Sequence, residues 1–356
     1  MKEQVVVAMS GGVDSSTAAL LLIEQGYEVM GVMMRLWAEG GADGSPGHNR
    51  YCSPETVEVA RRVAVQLNIP FHLVDYERLF KRQVVDYFVR EYARGRTPNP
   101  CLRCNRRIKF GRLLAQVQAL GADYLATGHY ARIRRVDGHF QLLRGRDSQK
   151  DQSYMLYMLG QEELAHILLP LGEYTKEQVR ALAADQGLAV ADRAESQDLC
   201  FLADGDYRRF LRERAPQALR PGPIIDREGR VLGEHEGLAL YTIGQRRGLG
   251  ISASEPLYVL ALDPGRNAVV VGTADALGQR ELLAEEVSYV AGEPPSEPLD
   301  VTAEIRYRAH EAPAHWIPLG DRRAQVIFDH PQRDIAAGQG VVAYQGEILV
   351  GGGIIA

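Results

Sequence analysis

The chain has 356 residues, 46% hydrophobic and 24% charged, the balance of an ordinary globular protein with room for two or three domains. A net charge of −5 argues against bulk nucleic-acid binding but leaves local phosphate-binding patches open. Four cysteines are too few for a disulfide scaffold, no apolar run approaches the ~20 residues of a membrane helix, and the opening MKEQVVVAMSGG has too short an apolar core for a signal peptide. The expected setting is the cytoplasm, away from any membrane.

In chain order, VVVA (5–8) reads as a buried strand, SSTAALLLIEQG (15–26) as a helix closed by Gly26, and EVMGVMM (28–34) as the next strand. Residues 38–49 read as a glycine-rich mobile loop. Ser53 as N-cap and Pro54 in the first turn open a helix to Leu67. FHLVD (71–75) is a strand and YERLFKRQVVDYFVREYAR (76–94) a helix; after a cysteine-bearing loop come a helix over 108–121 and a strand over 123–128. TKEQVRALAADQG (175–187) is a helix with Thr175 and Gln178 as a capping box. This rhythm predicts an α/β fold with a doubly wound parallel sheet and ligand sites at the strand C-termini. Beyond about residue 205, short alternating segments punctuated by turns predict a small β-rich central domain and a C-terminal β-barrel. The expected division is 1–205, 206–275 and 276–356.

MSGGVDSS (9–16) lies between the first strand and the first helix. Its glycines allow a tight turn, and the exposed N–H groups and helix dipole attract an anion. Asp14 could help hold Mg²⁺. No G-K-[ST] follows, so this is not a Walker loop. The stretch RTPNPCLRCNRRIKF (96–110) poses a second question, because Cys101 and Cys104 sit among Arg103, Arg106, Arg107, Lys109 and Arg112. A zinc site, a redox pair, an iron–sulfur ligand set and a nucleophile beside a polyanion all suit a CxxC of this kind, and the spacing does not choose among them.

SGGxDS is the signature of the PP-loop ATP pyrophosphatases. The strings MSGGVDSS, GVMMRLW, TPNPCLRCNRRIKF, ATGHYAR, KDQSYMLY, ESQDLCF, YTIGQRRGLG, IRYR and GGGII, in this order, resemble the bacterial tRNA-specific 2-thiouridylase family over essentially the whole chain. The resemblance implies ATP-dependent adenylation of the 2-oxygen of the wobble uridine in tRNAs for Lys, Glu and Gln. Sulfur from a cysteine desulfurase or relay protein then displaces AMP. It implies that Ala8, Met9, Ser10, Gly11, Gly12, Val13, Asp14 and Ser15 bind ATP with Mg²⁺, flanked by Met34 and Gly128. Cys200 would carry a persulfide, with Cys104 as partner nucleophile and a disulfide between them in the cycle. Asn99, Pro100 and Cys101 would line the target base. His129, Lys150, Asp151, Gln152, Arg306, Tyr307 and Gln339 would contact tRNA.

At residue 101 the chain departs from the better-known DxxC pattern of the family. Cys101, Cys104 and Cys200 could instead hold three irons of a 4Fe–4S cluster, or Cys101 could be a spare thiol in the base recess. Other features have plainer readings beside functional ones: His129 as a packed loop histidine, Arg246 and Arg247 as a solvated turn, and Arg132, Arg134 and Arg135 as a solvated hairpin face. A nitrogen-using PP-loop synthetase and a non-enzymatic sulfur scaffold are the rival functions.

Overall fold

The computed structural model describes residues 2–40, 53–191 and 199–356. Most of the loop expected at 38–49, together with Cys52 and residues 195–198 of ESQDLCF, lies outside the described residues. The first domain is built on β1 (Gln4–Ala8), β2 (Glu28–Arg35), β3 (Phe71–Asp75) and β4 (Tyr124–Ala126). A hairpin, β5 (Ala131–Val136) and β6 (His139–Arg144), precedes the short β7 (Ile167–Leu168). The sheet order is β3-β2-β1-β4-β7, and every neighbour pair is parallel.

Alternation along β1 explains why both faces are covered. Val5 and Val7 enter one apolar cluster with residues of helices Val13–Glu24, Pro54–Gln66 and Lys176–Asp185. Val6 enters another with residues of the helices spanning 77–93 and 100–119. A period of two thus makes the sheet doubly wound. Strand order reverses between β1 and β4, so their C-terminal ends border the crevice where such sheets bind ligands.

The central module comprises β8 (Gly222–Ile225), β9 (Val231–His235), β10 (Tyr258–Asp263) and β11 (Ala268–Gly272), ordered β10-β11-β8-β9. The last module holds β12 (Gln279–Tyr289), β13 (Leu299–Glu304), β14 (Ala312–Gly320), β15 (Arg323–Gln332), β16 (Gly340–Gln345) and β17 (Ile348–Ile355). These run β12-β15-β14-β13-β16-β17, and a β12–β17 pairing closes the barrel. The β5–β6 hairpin leaves the first domain and adds to this sheet through β6 and β17.

One expectation is corrected. The cysteines are not in a loop before a helix. Helix begins at Pro100 and continues to Ala119 as Pro100–Cys104, Asn105–Leu113 and Leu114–Ala119. Asn99 is its N-cap and Pro100 its first residue, a start signal of a familiar kind.

Candidate active site between the nucleotide loop and the cysteine helix

The loop after β1 turns at Gly11, whose φ of 68° lies in the left-handed region. Ser15 and Ser16 hydroxyls donate to the Gly12 carbonyl at 3.2 and 3.0 Å, and Ser10 N donates to Ser15 Oγ at 3.1 Å. The loop is therefore held from within, with the N-terminus of helix Val13–Glu24 directed at the β1/β4 crevice. Gly128 closes the other side, three residues past Leu125 of β4; a Cβ there would lie 2.9 Å from the Asp14 carbonyl carbon and the Ser15 nitrogen. Met34 sits near the end of β2, half-buried.

Asp14 is not open on all sides. Lys176 Nζ donates to its two oxygens at 2.6 and 2.8 Å, and the Tyr130 hydroxyl donates to Oδ1 at 2.7 Å. Any Mg²⁺ drawn to Asp14 would meet this pairing. Gln152 in turn accepts from Tyr130 N and donates its own N–H to the Tyr130 carbonyl.

The cysteine helix adjoins this crevice. His129, buried beside Gly128, has its Nδ1 2.7 Å from Thr127 Oγ1 and its ring 5.8 Å from that of Phe110. Burial, with Lys109 adding to it, drives the imidazole well below its ordinary pKa, so it is neutral at physiological pH. Burial pushes the Cys104 thiol up to about 11, and Lys109 opposes the shift. Cys101 is raised for the same reason and opposed by the same lysine. Cys101 as a residue is exposed; its thiol is desolvated as in a crevice, where protein displaces bulk water without sealing the site. One ammonium group thus acts on both thiols and on His129.

The surrounding basic residues divide into two sets. Arg106 donates to the Glu286 carboxylate at 2.9 Å and to Ser288 Oγ at 3.0 Å. Arg103 lies over the Tyr87 ring at 4.6 Å and donates to the Gln83 carbonyl. These two bind the cysteine helix to its neighbours. Arg107 and Arg112 are exposed and Lys109 is half-buried, leaving them for a polyanion or for the thiols.

Asn99 Oδ1 accepts from Cys101 N and Leu102 N, which fixes the first turn of the helix. The loop ahead of it is clamped by the barrel: Thr97 N donates to the Ala337 carbonyl at 2.7 Å, and Gln339 Nε2 donates to the Thr97 carbonyl at 2.9 Å. Gln339 is thereby placed against the loop that precedes Asn99.

Cys200 is half-buried and packs, like Cys104, against the large cluster of the first domain. Its neighbour Phe201 sits among Phe80, Phe88 and Phe210. Arg209 donates to both oxygens of buried Glu39 at 2.8 and 2.7 Å, and Glu39 Oε2 accepts from Ala203 N. No disulfide joins Cys101, Cys104 or Cys200. Among the described residues no three His, Cys, Asp or Glu side chains come together as a metal-holding group, so these thiols, as placed, do not fit a cluster that must bind them around one centre.

Asp151, Gln152 and Tyr307 gather near the hairpin, whereas Arg306 is exposed and 3.8 Å from Asp334. Asp151 accepts from Gly145 N, Ser153 N, Ser153 Oγ and Arg144, and the Tyr307 hydroxyl donates to its carbonyl. Asp151 and Tyr307 border a cavity of about 270 Å³ that is also lined by Arg144, Glu304 and Glu311. Burial, reinforced by Asp151 and Glu311, pushes Glu304 up to about 7 against the pull of Arg144 and a backbone donor. Arg132 pairs with Glu347 at 3.1 Å, Arg134 donates to Gln141 and Arg135 lies over Phe140, so the hairpin arginines serve the hairpin and its seam. Arg246 and Arg247 are exposed in a glycine-rich turn. Lys176 was missed in the sequence; its only local signal is the helix start TKEQ.

The fold and site define a nucleotide-binding PP-loop enzyme with a parallel α/β domain and two β modules. Residues 3–204 match the tRNA methyl transferase HUP domain, 208–273 the tRNA methyl transferase PRC-barrel domain and 279–355 the aminomethyltransferase beta-barrel domain. Relatives described as tRNA-specific 2-thiouridylase MnmA include one from Roseiflexus castenholzii, 54% identical over 370 residues with 99% of each chain covered. Another, from Moorella thermoacetica, is 56% identical over 353 residues with 98% of each covered. The chain belongs to the tRNA-specific 2-thiouridylase MnmA family. A solved 4-thiouridine synthetase–RNA complex with bound ATP is 16% identical at a TM-score of 0.34, over 61% of this chain and 51% of its own, a likeness too loose to bear on function.

Proposed function

We propose that this enzyme uses ATP to thiolate position 2 of the wobble uridine in tRNAs for Lys, Glu and Gln. The observation that carries the reading is the meeting of two chemistries at one crevice. The nucleotide loop and Gly128 adjoin His129, and His129 adjoins a helix that bears two thiols and Lys109. An amide-type oxygen leaves poorly from uridine. Transfer of AMP to it, with release of pyrophosphate, makes it a good leaving group.

Residues 8–15, with Met34 and Gly128, would hold ATP, whose phosphates bring Mg²⁺. Cys200 would receive a persulfide from a cysteine desulfurase or a relay protein. Cys104, protonated at rest, passes its proton to the outer sulfur of the ionised persulfide as its own sulfur attacks the inner one; the S–S bond breaks, and hydrosulfide departs as a Cys104–Cys200 disulfide forms. Hydrosulfide adds to C2 and AMP leaves. A dithiol reductant then returns two electrons to the disulfide. Asn99, Pro100 and Cys101 would face an unstacked base, since chemistry on a base requires it out of the stack. His129, Lys150, Asp151, Gln152, Arg306, Tyr307 and Gln339 would lie along the tRNA path, with the clamp on Thr97 tying Gln339 to the base recess.

The test is mass spectrometry of tRNA after incubation with ATP, a persulfide donor and a dithiol. Wild type should give 2-thiouridine and AMP. Cys104→Ala and Cys200→Ala should give none of the thiolated product. Thiolation by either variant at the wild-type rate, or equal AMP release with tRNA lacking the wobble uridine, overturns the reading. Iron near four atoms per chain in anaerobically prepared, active protein would replace the persulfide route with a cluster route.

A further inference from the structure

Each turnover of the proposed reaction oxidises the protein. It leaves a disulfide between Cys104 and Cys200, two half-buried residues, and the next turnover needs both as thiols. Among the described cysteines, Cys101 alone is exposed. Cys101 and Cys104 share one turn of α-helix, Pro100–Cys104. That turn is fixed at its start, because Asn99 Oδ1 accepts from Cys101 N at 3.0 Å and from Leu102 N at 3.3 Å. Residues three apart on an α-helix lie on one face, with Cβ atoms about 5–6 Å apart. A disulfide needs about 3.5–4.5 Å, so a small closing of the first turn joins the two sulfurs. Lys109 opposes the effect of burial on both thiols, so one ammonium group favours the ionised form of either sulfur.

We propose that Cys101 is the resolving thiol of the cycle: its sulfur attacks the Cys104 sulfur of the Cys104–Cys200 disulfide and moves the bond onto the cysteine helix. The proposal rests on the reading of Cys104 and Cys200 as a persulfide pair. In the exchange the Cys104–Cys200 bond breaks and a Cys101–Cys104 bond forms. The proton of Cys101 passes to the Cys200 sulfur as that sulfur departs, and no net oxidation occurs. A dithiol then opens the new bond from the exposed Cys101 side, supplying two electrons and two protons and becoming a cyclic disulfide. Thiol–disulfide exchange depends on access to the sulfur attacked, and the exchange brings the bond to the accessible residue. A thiol held three residues from its target acts at an effective concentration that no free reductant reaches. The exchange runs forward because Cys101 and Cys104 are already neighbours on one turn, whereas the Cys104–Cys200 bond ties two separate segments together. It also frees Cys200 first, so a sulfur donor can reload it while the helix is still oxidised.

The test maps disulfides after one turnover with no dithiol present. Wild type treated with one equivalent of a persulfide donor reacts with ATP and tRNA, is quenched in acid, alkylated with N-ethylmaleimide and digested with trypsin. Trypsin cuts after Arg103, which puts Cys101 and Cys104 on separate peptides, so each pairing has its own linked mass. Wild type should hold Cys101–Cys104 over Cys104–Cys200 by about tenfold or more, with Cys200 alkylated. Cys101→Ser should instead hold Cys104–Cys200, and dithiothreitol should open that bond about tenfold or more slowly than it opens the wild-type bond. Wild type that holds mainly Cys104–Cys200 overturns the proposal and leaves the persulfide reading standing. Equal rates of reduction in the two proteins also overturn it. 2-Thiouridine formed with no disulfide at all ends the persulfide reading and the proposal with it. If Cys101→Ser does not fold, the wild-type map decides alone.

Discussion

At Gly128 an added Cβ would meet backbone, the Asp14 carbonyl carbon and the Ser15 nitrogen, each at 2.9 Å. Backbone cannot swing aside as a side-chain tip can, so the loop and the end of β4 would have to part. Gly128→Ala should weaken ATP about tenfold, or ~1.4 kcal/mol, by disturbing the groups that cradle its phosphates. Calorimetry alongside a thermal melt checks this: lost affinity together with a lowered Tm is expected, and unchanged affinity and Tm contradict the close approach. Residues of this kind differ in how legible they are. SGGVDSS can be read directly because its turn, its hydroxyls and its helix start are all local. Lys176 cannot, because its partner Asp14 is 162 residues away and nothing in TKEQ points there. Asn99 and Pro100 carry a local helix-start signal, an N-cap and first-turn proline, inside the stretch that reads as a cysteine-bearing loop, and here they fix where the CxxC helix begins.

The element that departs most from its pattern is the helix of residues 100–119. Its middle, Asn105–Leu113, is a nine-residue π-helix, long for a conformation that is usually a single turn at a functional site. The i→i+5 ladder brings residues five apart closer to one face than an α-helix would, consistent with the Lys109 ammonium acting on the Cys104 thiol. Asn105, buried, anchors the stretch through Nδ2 to the Met155 carbonyl at 2.9 Å. Gly111 permits it, since a Cβ there would stand 2.7 Å from the Arg106 carbonyl oxygen. In an ordinary helix Gly→Ala stabilises by about 0.8–1 kcal/mol. Gly111→Ala should instead destabilise, by about 1–3 kcal/mol, because the carbonyl must be pushed out. Urea unfolding gives the sign, and a stabilised variant would contradict the π-helical course. Hydrophobic periodicity finds the apolar face from Ile108 to Val117 but not the change of pitch, which depends on carbonyl geometry.

Across the whole molecule, the β5–β6 hairpin and the barrel share one sheet, and buried Glu304 sits at their seam with Asp151, Glu311 and Arg144. With its pKa raised from 4.5 to about 7, this carboxyl binds its proton more tightly in the folded state. The folded protein gains from that below about pH 4.5 and loses it as pH rises through about 7. Glu304→Gln should therefore be more stable than wild type at pH 8, by as much as about 3 kcal/mol, with the difference shrinking toward pH 4.5. Chemical denaturation at several pH values checks this, and a difference that does not vary with pH would place the charge elsewhere. The sequence shows the β-rich texture of residues 206–356 and the alternation that makes a barrel. It does not show that a hairpin from the first domain extends that barrel, because register between strands so far apart is fixed by three-dimensional packing alone.

The clamp on the loop ahead of Asn99 bears on the order in which the protein is made. Residues 8–15, Gly128 and Lys176 have all left the ribosome while the second half of the chain is still being translated, so the loop after β1 and its partners can assemble early. Thr97 receives its partners Ala337 and Gln339 only from the turn before β16, and Arg96 its partner Ile355 only from β17. Synthesis proceeds from the N-terminus, and domains fold as they emerge. A nascent chain would thus hold its SGGVDSS loop before the loop ahead of Asn99 is fastened, and elongation itself would leave that second loop unclamped until β17 is in place.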